Sequence, residues 1–466
     1  MNSHIRVPAR ASIWYIASAL IGRGIGFFFT PIFTRLMGEG EYGAYTLYLN
    51  WLGIFTIIST LEISGGIYMR SLQKSEDKNR LFRSAVLLEI LSIAVFCILY
   101  FVFYGFISRF TQLGALLSLI AFIQILFTAI TNLYLTQAKF YYRYKEVFLI
   151  NVAAGALPIP IALLLVGVFG LGEYGKISAT LAITVVIAAY VIYHMLKHGR
   201  DVSIHDMREL LAGGAAHLPH YLSTAVVGRA DKLILSSVYG TAALAKYAVA
   251  ENVGALLLFG ITAPLSALTP WIMRRLASGE PERIRQVGKI GTSLILWISL
   301  ILLCYAPEIL AFLAPAEYSE ALFAAFPLAL TAIPAFLFSL SSVAMLYGDN
   351  KLSSLLPSLV GGAVAVLAAT LLSRFPHFTA LAFTQPIAQL VMLGVSYVTL
   401  GRRGITVIDI KAVLPLLAVG VGASLTLFLA RDFLMLRIII SIACLLPLVF
   451  ELGRGAALVK EKPSIP

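Results

Sequence analysis

GALLSLIAFIQILFTAITNLYLT, residues 114–136, decides how this chain must fold. The stretch has no charged side chain, and its apolar residues do not alternate with polar ones. Strict alternation over about ten residues is the mark of a membrane barrel strand, whereas about 20 apolar residues is the length of a helix crossing the hydrocarbon. In lipid every backbone N–H and C=O must be satisfied within the segment or within a closed sheet. A run of this length and pattern reads as a transmembrane helix.

Segments of the same kind recur along the chain. Read between polar breaks, they predict about fourteen helices, with cores near 12–36, 44–68, 84–107, 114–136, 147–170, 176–196, 212–238 and 246–270, then 288–313, 322–347, 353–373, 379–400, 412–430 and 433–452. Pro376, Pro386 and Pro415 blur the ends of the last four, which leaves twelve as the alternative count. Pro31, Pro158, Pro160, Pro264, Pro327, Pro334 and Pro357 mark expected kinks. The run after Arg6 and Arg10 is too long for the apolar core of a signal peptide and has no clear cleavage site, so it reads as a retained first helix.

Composition agrees. Of 466 residues 59% are hydrophobic and 12% charged, with mean hydropathy +0.90. A soluble domain carries about 25% charged residues, so a chain this poor in charge cannot cover a water-facing surface. The net charge of +12 belongs to loops rather than to a nucleic-acid surface. With the N-terminus in the cytoplasm, the inside segments hold 25 Lys and Arg and the outside loops 5, which predicts both termini inside. The basic loops around Arg80 and Arg283 are topogenic on this reading, with anionic lipid head groups as a second use. Cys97, Cys304 and Cys444 fall inside apolar segments without metal-like spacing and read as buried hydrophobes; no metal site or cofactor is expected.

The second half carries a faint copy of the first. At an offset of 202 residues, Gly26 meets Gly228, Gly38 meets Gly240, Tyr45 meets Tyr247 and Asn50 meets Asn252. Both copies begin an outward-going helix, so the repeat is parallel, with its substrate path expected between two lobes of about six helices. The expected architecture is an all-α polytopic membrane protein: an N-terminal lobe over 1–211, a C-terminal lobe over 212–400, and two extra helices over 401–466.

Charges inside such helices cost at least about 2.5–3.5 kcal/mol each unless paired or hydrated. Arg23 sits in the first expected helix, Arg229, Asp231 and Lys232 in the seventh, and Glu251 a turn into the eighth. Through the repeat, Arg229 and Lys232 correspond to positions 27 and 30, which share a helix face with position 23. Arg23, Arg229 and Lys232 therefore suggest a basic cavity suited to phosphate or diphosphate. The competing reading is that Asp231 neutralises Arg229 or Lys232 and the set pins helices together. Asp231, Glu251 and Glu62 are candidates for ion coupling or pairing, while Glu62 and Glu89 have the alternative of snorkelling to the inner interface. Gln124, Asn132, Asn151, Gln385 and Gln389 suit sugar contacts or, more commonly, interhelical hydrogen bonds.

FFFTPIFTRLMGEGEYGAYTLYLNWLGIFTIISTLEISGGIYMR, residues 27–70, resembles the first helical pair of the Wzx-type polysaccharide flippases of the multidrug/oligosaccharidyl-lipid/polysaccharide exporter (MOP) superfamily. DKLILSSVYGTAALAKYAVAENVG, residues 231–254, resembles that family's seventh helix and following loop, with Lys246 standing where the pattern has glycine. The resemblance implies a two-lobed, alternating-access flippase that moves undecaprenyl-diphosphate-linked oligosaccharide to the outer leaflet of a bacterial inner membrane. It implies contact with membrane lipids and with polysaccharide polymerase machinery, and no catalytic residue. Arg23 matches the family's first-helix cation, and Asp231 and Lys232 match its seventh-helix acid–base pair. A lipid II flippase and a cation-coupled multidrug or metabolite exporter of the same superfamily stay open as alternatives. A membrane enzyme of polysaccharide assembly would need paired acids outside; Glu39 with Glu41, or Glu317 with Glu320, are the candidates, on very short loops.

Overall fold

The computed structural model describes residues 3–196, 201–346 and 351–460, and all regular structure among them is helical. In chain order the first ten helices are α1 (Ser3–Leu36), α2 (Glu39–Thr60), α3 (Ile67–Lys74), α4 (Lys78–Val102), α5 (Tyr104–Thr111), α6 (Ala115–Phe140), α7 (Tyr144–Ala156), α8 (Pro158–Gly167), α9 (Gly172–Leu196) and α10 (Ile204–Val227). There follow α11 (Ala230–Ala277), α12 (Pro281–Cys304), α13 (Ala306–Leu313), α14 (Ala321–Leu330), α15 (Ala332–Leu346), α16 (Lys351–Leu372), α17 (Thr384–Gly401), α18 (Ile410–Leu429) and α19 (Leu434–Lys460).

Every expected helix has a counterpart, but several are broken where local chemistry demands it. Residues 147–170 form two helices because Pro158 has no N–H to continue α7, and it serves as the first residue of α8 instead. Residues 322–347 divide at Thr331, where Pro334 leaves the carbonyl of Leu330 without its helical donor. The expected second helix, 44–68, stops at Thr60. Leu61 and Glu62 then take left-handed φ angles of 52° and 49°, and the chain restarts in α3. The expected seventh helix, 212–238, is the later part of α10 followed by the first nine residues of α11, with a turn at Gly228–Arg229 between them.

Eleven helices are long and apolar enough to cross a membrane among the described residues. One of these, Ala230–Gly254, runs across Gly240, whose φ of 83° and ψ of 176° take the backbone out of helix. It therefore joins the end of one pass to the start of the next. α1, α2 and α10, more polar or shorter in their apolar part, complete the set expected from the sequence. Lipid-facing surface is plain on α19, where Met435, Ile439, Ile442, Leu446 and Val449 form an exposed stripe at helical spacing. Water would not tolerate such a stripe; hydrocarbon does.

The helices fall into two compact units, residues 1–225 with 239–245, and 226–238 with 246–466. In the first, Ile63, Tyr68, Leu72, Phe82, Leu133 and Leu210 belong to one fully or nearly buried cluster. Phe55 stacks on Phe122, and Tyr100, edge-on to both, bonds Ser118 at 2.8 Å, so the polar tip of the ring is satisfied inside the apolar packing. Gly43 lies so close to Thr241 that an added Cβ would stand 1.8 Å from the Thr241 carbonyl oxygen. Outside the membrane, Asp77 caps α4 by accepting from the N–H groups of Asn79 and Arg80, and the Arg80 N–H holds its carboxyl below the usual range.

In the second unit, α18 and α19 pack against α12. A bidentate pair fixes α19: Arg437 donates to both Glu308 oxygens at 2.7 Å and to the Cys304 carbonyl at 2.5 Å. Lys246, the departure from the family pattern, pairs with Glu320 at 3.1 Å.

Candidate functional site

The densest polar chemistry in the second unit forms where α11 begins. The turn at Gly228–Arg229 leaves the first N–H groups of α11 without helical acceptors, and Asp231 sits in that first turn. Its Oδ1 accepts from the Lys232 backbone N–H at 2.9 Å, the favoured placement for a carboxylate at a helix N-terminus. Its Oδ2 accepts from the Tyr247 hydroxyl at 2.5 Å and from the Gln385 amide at 2.9 Å. Asp231 is fully buried and has four donors or cations about it, counting Lys232 Nζ at 3.9 Å.

Lys232 is buried beside it, and its Nζ meets Glu251 Oε1 at 2.5 Å. Gln385 Nε2 also reaches that oxygen, at 3.4 Å. The result is one lysine between two carboxylates, with a tyrosine and a glutamine supplying further donors. Glu251 differs from its partners in being partly open, with 37% of its side chain exposed. Beneath the network, Val227 and Ala230 pack against Ala365 of α16 and Ala388 and Met392 of α17. Ala230, Ala365 and Ala388 leave little bulk between the helices there, so the packing holds α17, and with it Gln385, close to Asp231.

This places Lys232, Asp231 and Glu251 together and gives Lys232 acid partners, the competing reading of the sequence. Arg229 stands half-buried in the turn, with φ of −135°. Arg23 lies on α1, and its side chain is outside the described residues. Glu62 belongs to the first unit, in the left-handed turn after α2, where its N–H meets Thr60 Oγ1 at 3.2 Å. Glu89 does not snorkel: it is fully buried on α4, and neither carboxyl oxygen has a hydrogen-bond partner among the described residues.

Sequence reasoning missed Tyr247 as a site residue, although the repeat had aligned it with Tyr45. The 154-residue separation between Gln385 and Asp231 carried no local signal at all. Among the candidates for a catalytic acid pair, Glu320 is taken by Lys246.

The comparison with known families settles the kinship. A family model for polysaccharide biosynthesis protein matches residues 9–276. The chain belongs to that family. No curated protein sequence matches it. Solved structures do, through the fold. An inward-facing multidrug resistance MATE family transporter of the MOP superfamily is 14% identical with a TM-score of 0.67, over 83% of this chain and 94% of its own. The lipid II flippase MurJ in an inward closed conformation is 13% identical with a TM-score of 0.66, over 97% and 100%. A MOP superfamily transporter from Pyrococcus furiosus, whose structure was described as having a binding pocket of reverse polarity, is 16% identical with a TM-score of 0.60, over 85% and 96%. At these identities the likeness is one of fold: the polysaccharide biosynthesis family protein described here is a polytopic membrane protein with the MOP architecture, and the resemblance read from residues 27–70 and 231–254 holds.

Proposed function

We propose that this protein is a flippase, not an enzyme, which carries an undecaprenyl-diphosphate-linked oligosaccharide from the cytoplasmic to the outer leaflet of a bacterial inner membrane. Family membership over residues 9–276 carries the reading, and the fold shared with MurJ along nearly the whole chain supports it. A diphosphate head cannot cross hydrocarbon unaided, because its charges lose hydration without compensation. The protein's task is a hydrated, positive route with alternating access.

In this reading Arg23 and Arg229 contact the diphosphate. Lys232 fixes the start of α11 through Asp231 and Glu251, and the open side of Glu251 makes it, ahead of Asp231 and Glu62, the acid able to exchange a cation during transport. The N-terminal lobe, C-terminal lobe and final helix pair serve as moving and supporting parts. Both termini lie in the cytoplasm, and the polymerase machinery receives the cargo outside.

The test is the fate of the lipid-linked unit in cells depleted of the protein, with Arg23→Ala and Arg229→Ala alongside. Accumulation of the unit on the cytoplasmic leaflet, unrelieved by either variant, is the expected result. Units still reaching the outer face, with polymerisation or drug resistance altered instead, would overturn it. Rescue of a strain depleted of its lipid II flippase distinguishes that alternative cargo.

A further inference from the structure

At one end of the first unit, the start of α4, the end of α6, the loop before α7 and the end of α9 enclose a cavity of about 210 Å³. Asn79, Arg83, Gln137, Tyr141, Arg143 and His194 supply its polar lining, and among the described residues no Asp or Glu lines it. Arg83 is 8% exposed, and its Nε donates to the Asp201 carbonyl at 2.9 Å, which fixes the guanidinium in place. Arg143 lies over the Tyr141 ring, 5.6 Å from its centroid. Glu146 stands 3.9 Å from Arg143 and is engaged by the Tyr134 hydroxyl. Asp206 at this end pairs with Arg80 at 3.4 Å, and Asp77, which caps α4, lies near enough for the Arg83 charge to act on its carboxyl.

Two observations fix the class of ligand. Two guanidiniums with amide and phenol donors in one small cavity match the several acceptor oxygens and the charge of a phosphate group. Tyr141 and Tyr142 stand exposed just past the end of α6, and aromatic rings of a membrane protein favour head-group depth. We propose that this cavity binds a phosphate group, supplied by an anionic phospholipid head or by a soluble phosphate. The site is separate from the α11 network and does not depend on what the protein transports.

The experiment uses the purified full-length chain in mild detergent. Phosphatidylglycerol retention is read by native mass spectrometry, and stabilisation by inorganic phosphate is read by thermal unfolding. The variants are Arg143→Gln, whose side chain is mostly exposed and so leaves the fold alone, and Arg83→Gln with Arg143→Gln. Arg402→Gln, a basic residue of the other unit, is the control. Each lost arginine is expected to weaken retention about fivefold, the equivalent of about 1 kcal/mol per basic residue at a membrane surface, with Arg402→Gln unchanged. Arginine-dependent stabilisation by phosphate without lipid retention assigns the site to a soluble anion and upholds it. Equal binding of both probes to wild type, the Arg143→Gln protein and the double variant overturns it.

Discussion

Lys232→Met is the most informative single change in this protein. The lysine is nearly fully buried between Asp231, which is entirely buried, and Glu251, whose side chain is 37% exposed. Methionine fills a similar volume, so packing is kept while the cation is lost, leaving two carboxylates facing one another. Removing one partner from a buried ion pair typically costs about 3–5 kcal/mol, and Lys232 serves two. Glu251 can turn toward water and recover part of its hydration; Asp231 cannot, although Tyr247 and Gln385 still donate to it. The loss should therefore fall within that range rather than double it. Adding Asp231→Asn to Lys232→Met removes the charge that cannot escape, and the pair should recover about 1–3 kcal/mol of coupling, as contacting residues do in double-mutant cycles. Unfolding in mixed micelles, followed by fluorescence of the four tryptophans, supplies the measurement. If Lys232→Met costs less than about 1 kcal/mol, or if the double variant is simply additive, the three side chains do not act as the buried unit described here.

The remaining predictions separate backbone, contact and charge. Gly240→Ala should cost about 1–3 kcal/mol, because φ 83° with ψ 176° is a conformation essentially reserved for glycine, while its Cβ would meet nothing within 4 Å; the same micelle unfolding checks it, and an unchanged midpoint refutes it. Gly43→Ala should cut folded yield more severely, since the added Cβ would enter the backbone of Thr241; yield after size exclusion decides. Glu89→Gln keeps the shape of a buried group whose oxygens have no donor among the described residues, so it should be tolerated to within about 1 kcal/mol; a larger loss would reveal a partner for the carboxylate. Arg437→Met should cost about 1–3 kcal/mol, less than Lys232→Met, because the abandoned Glu308 is about half exposed and can be rehydrated; proteolysis of α19 in micelles reads the loosening.

The fold was legible because the bilayer permits so few answers: a run such as residues 114–136 has to be a helix. Breaks were less legible. Pro158 and Pro334 announce theirs, but nothing in the composition of Leu61–Glu62 signals two left-handed residues in succession. Of the candidate site, the Asp231–Lys232 pair could be read because neighbouring opposite charges in a membrane helix demand an explanation. Gln385 could be read as a candidate for an interhelical hydrogen bond, but not its partner, since that depends on α17 being packed beside α11, a matter of tertiary contact alone. Arg437 and Glu308 each fall inside an expected helix and so called for a partner, but their pairing, 129 residues apart, was a matter of tertiary contact too.

The aligned positions of the two halves differ most at the network. Gly38 and Gly240 stand at matching breaks, one capping α2 and the other ahead of the second part of α11. The aligned glycines thus stand at breaks in both halves, with different backbone angles, and the chemistry around them differs. The positions matching Asp231, Lys232 and Glu251 are Phe29, Thr30 and Leu49. Thr30 satisfies its hydroxyl on the Gly26 carbonyl one turn back at 3.0 Å, and α1 runs on without interruption. At the matching point of the second half, the chain turns at Gly228–Arg229 and starts a new helix, freeing N–H groups that a carboxylate can meet. Packing alone would have kept the second copy as apolar as the first, because an apolar replacement of a buried ion pair is commonly as stable or more so. In the second half the charges and the helix break occur together, with Lys232 tied to Asp231 and Glu251 at the start of α11.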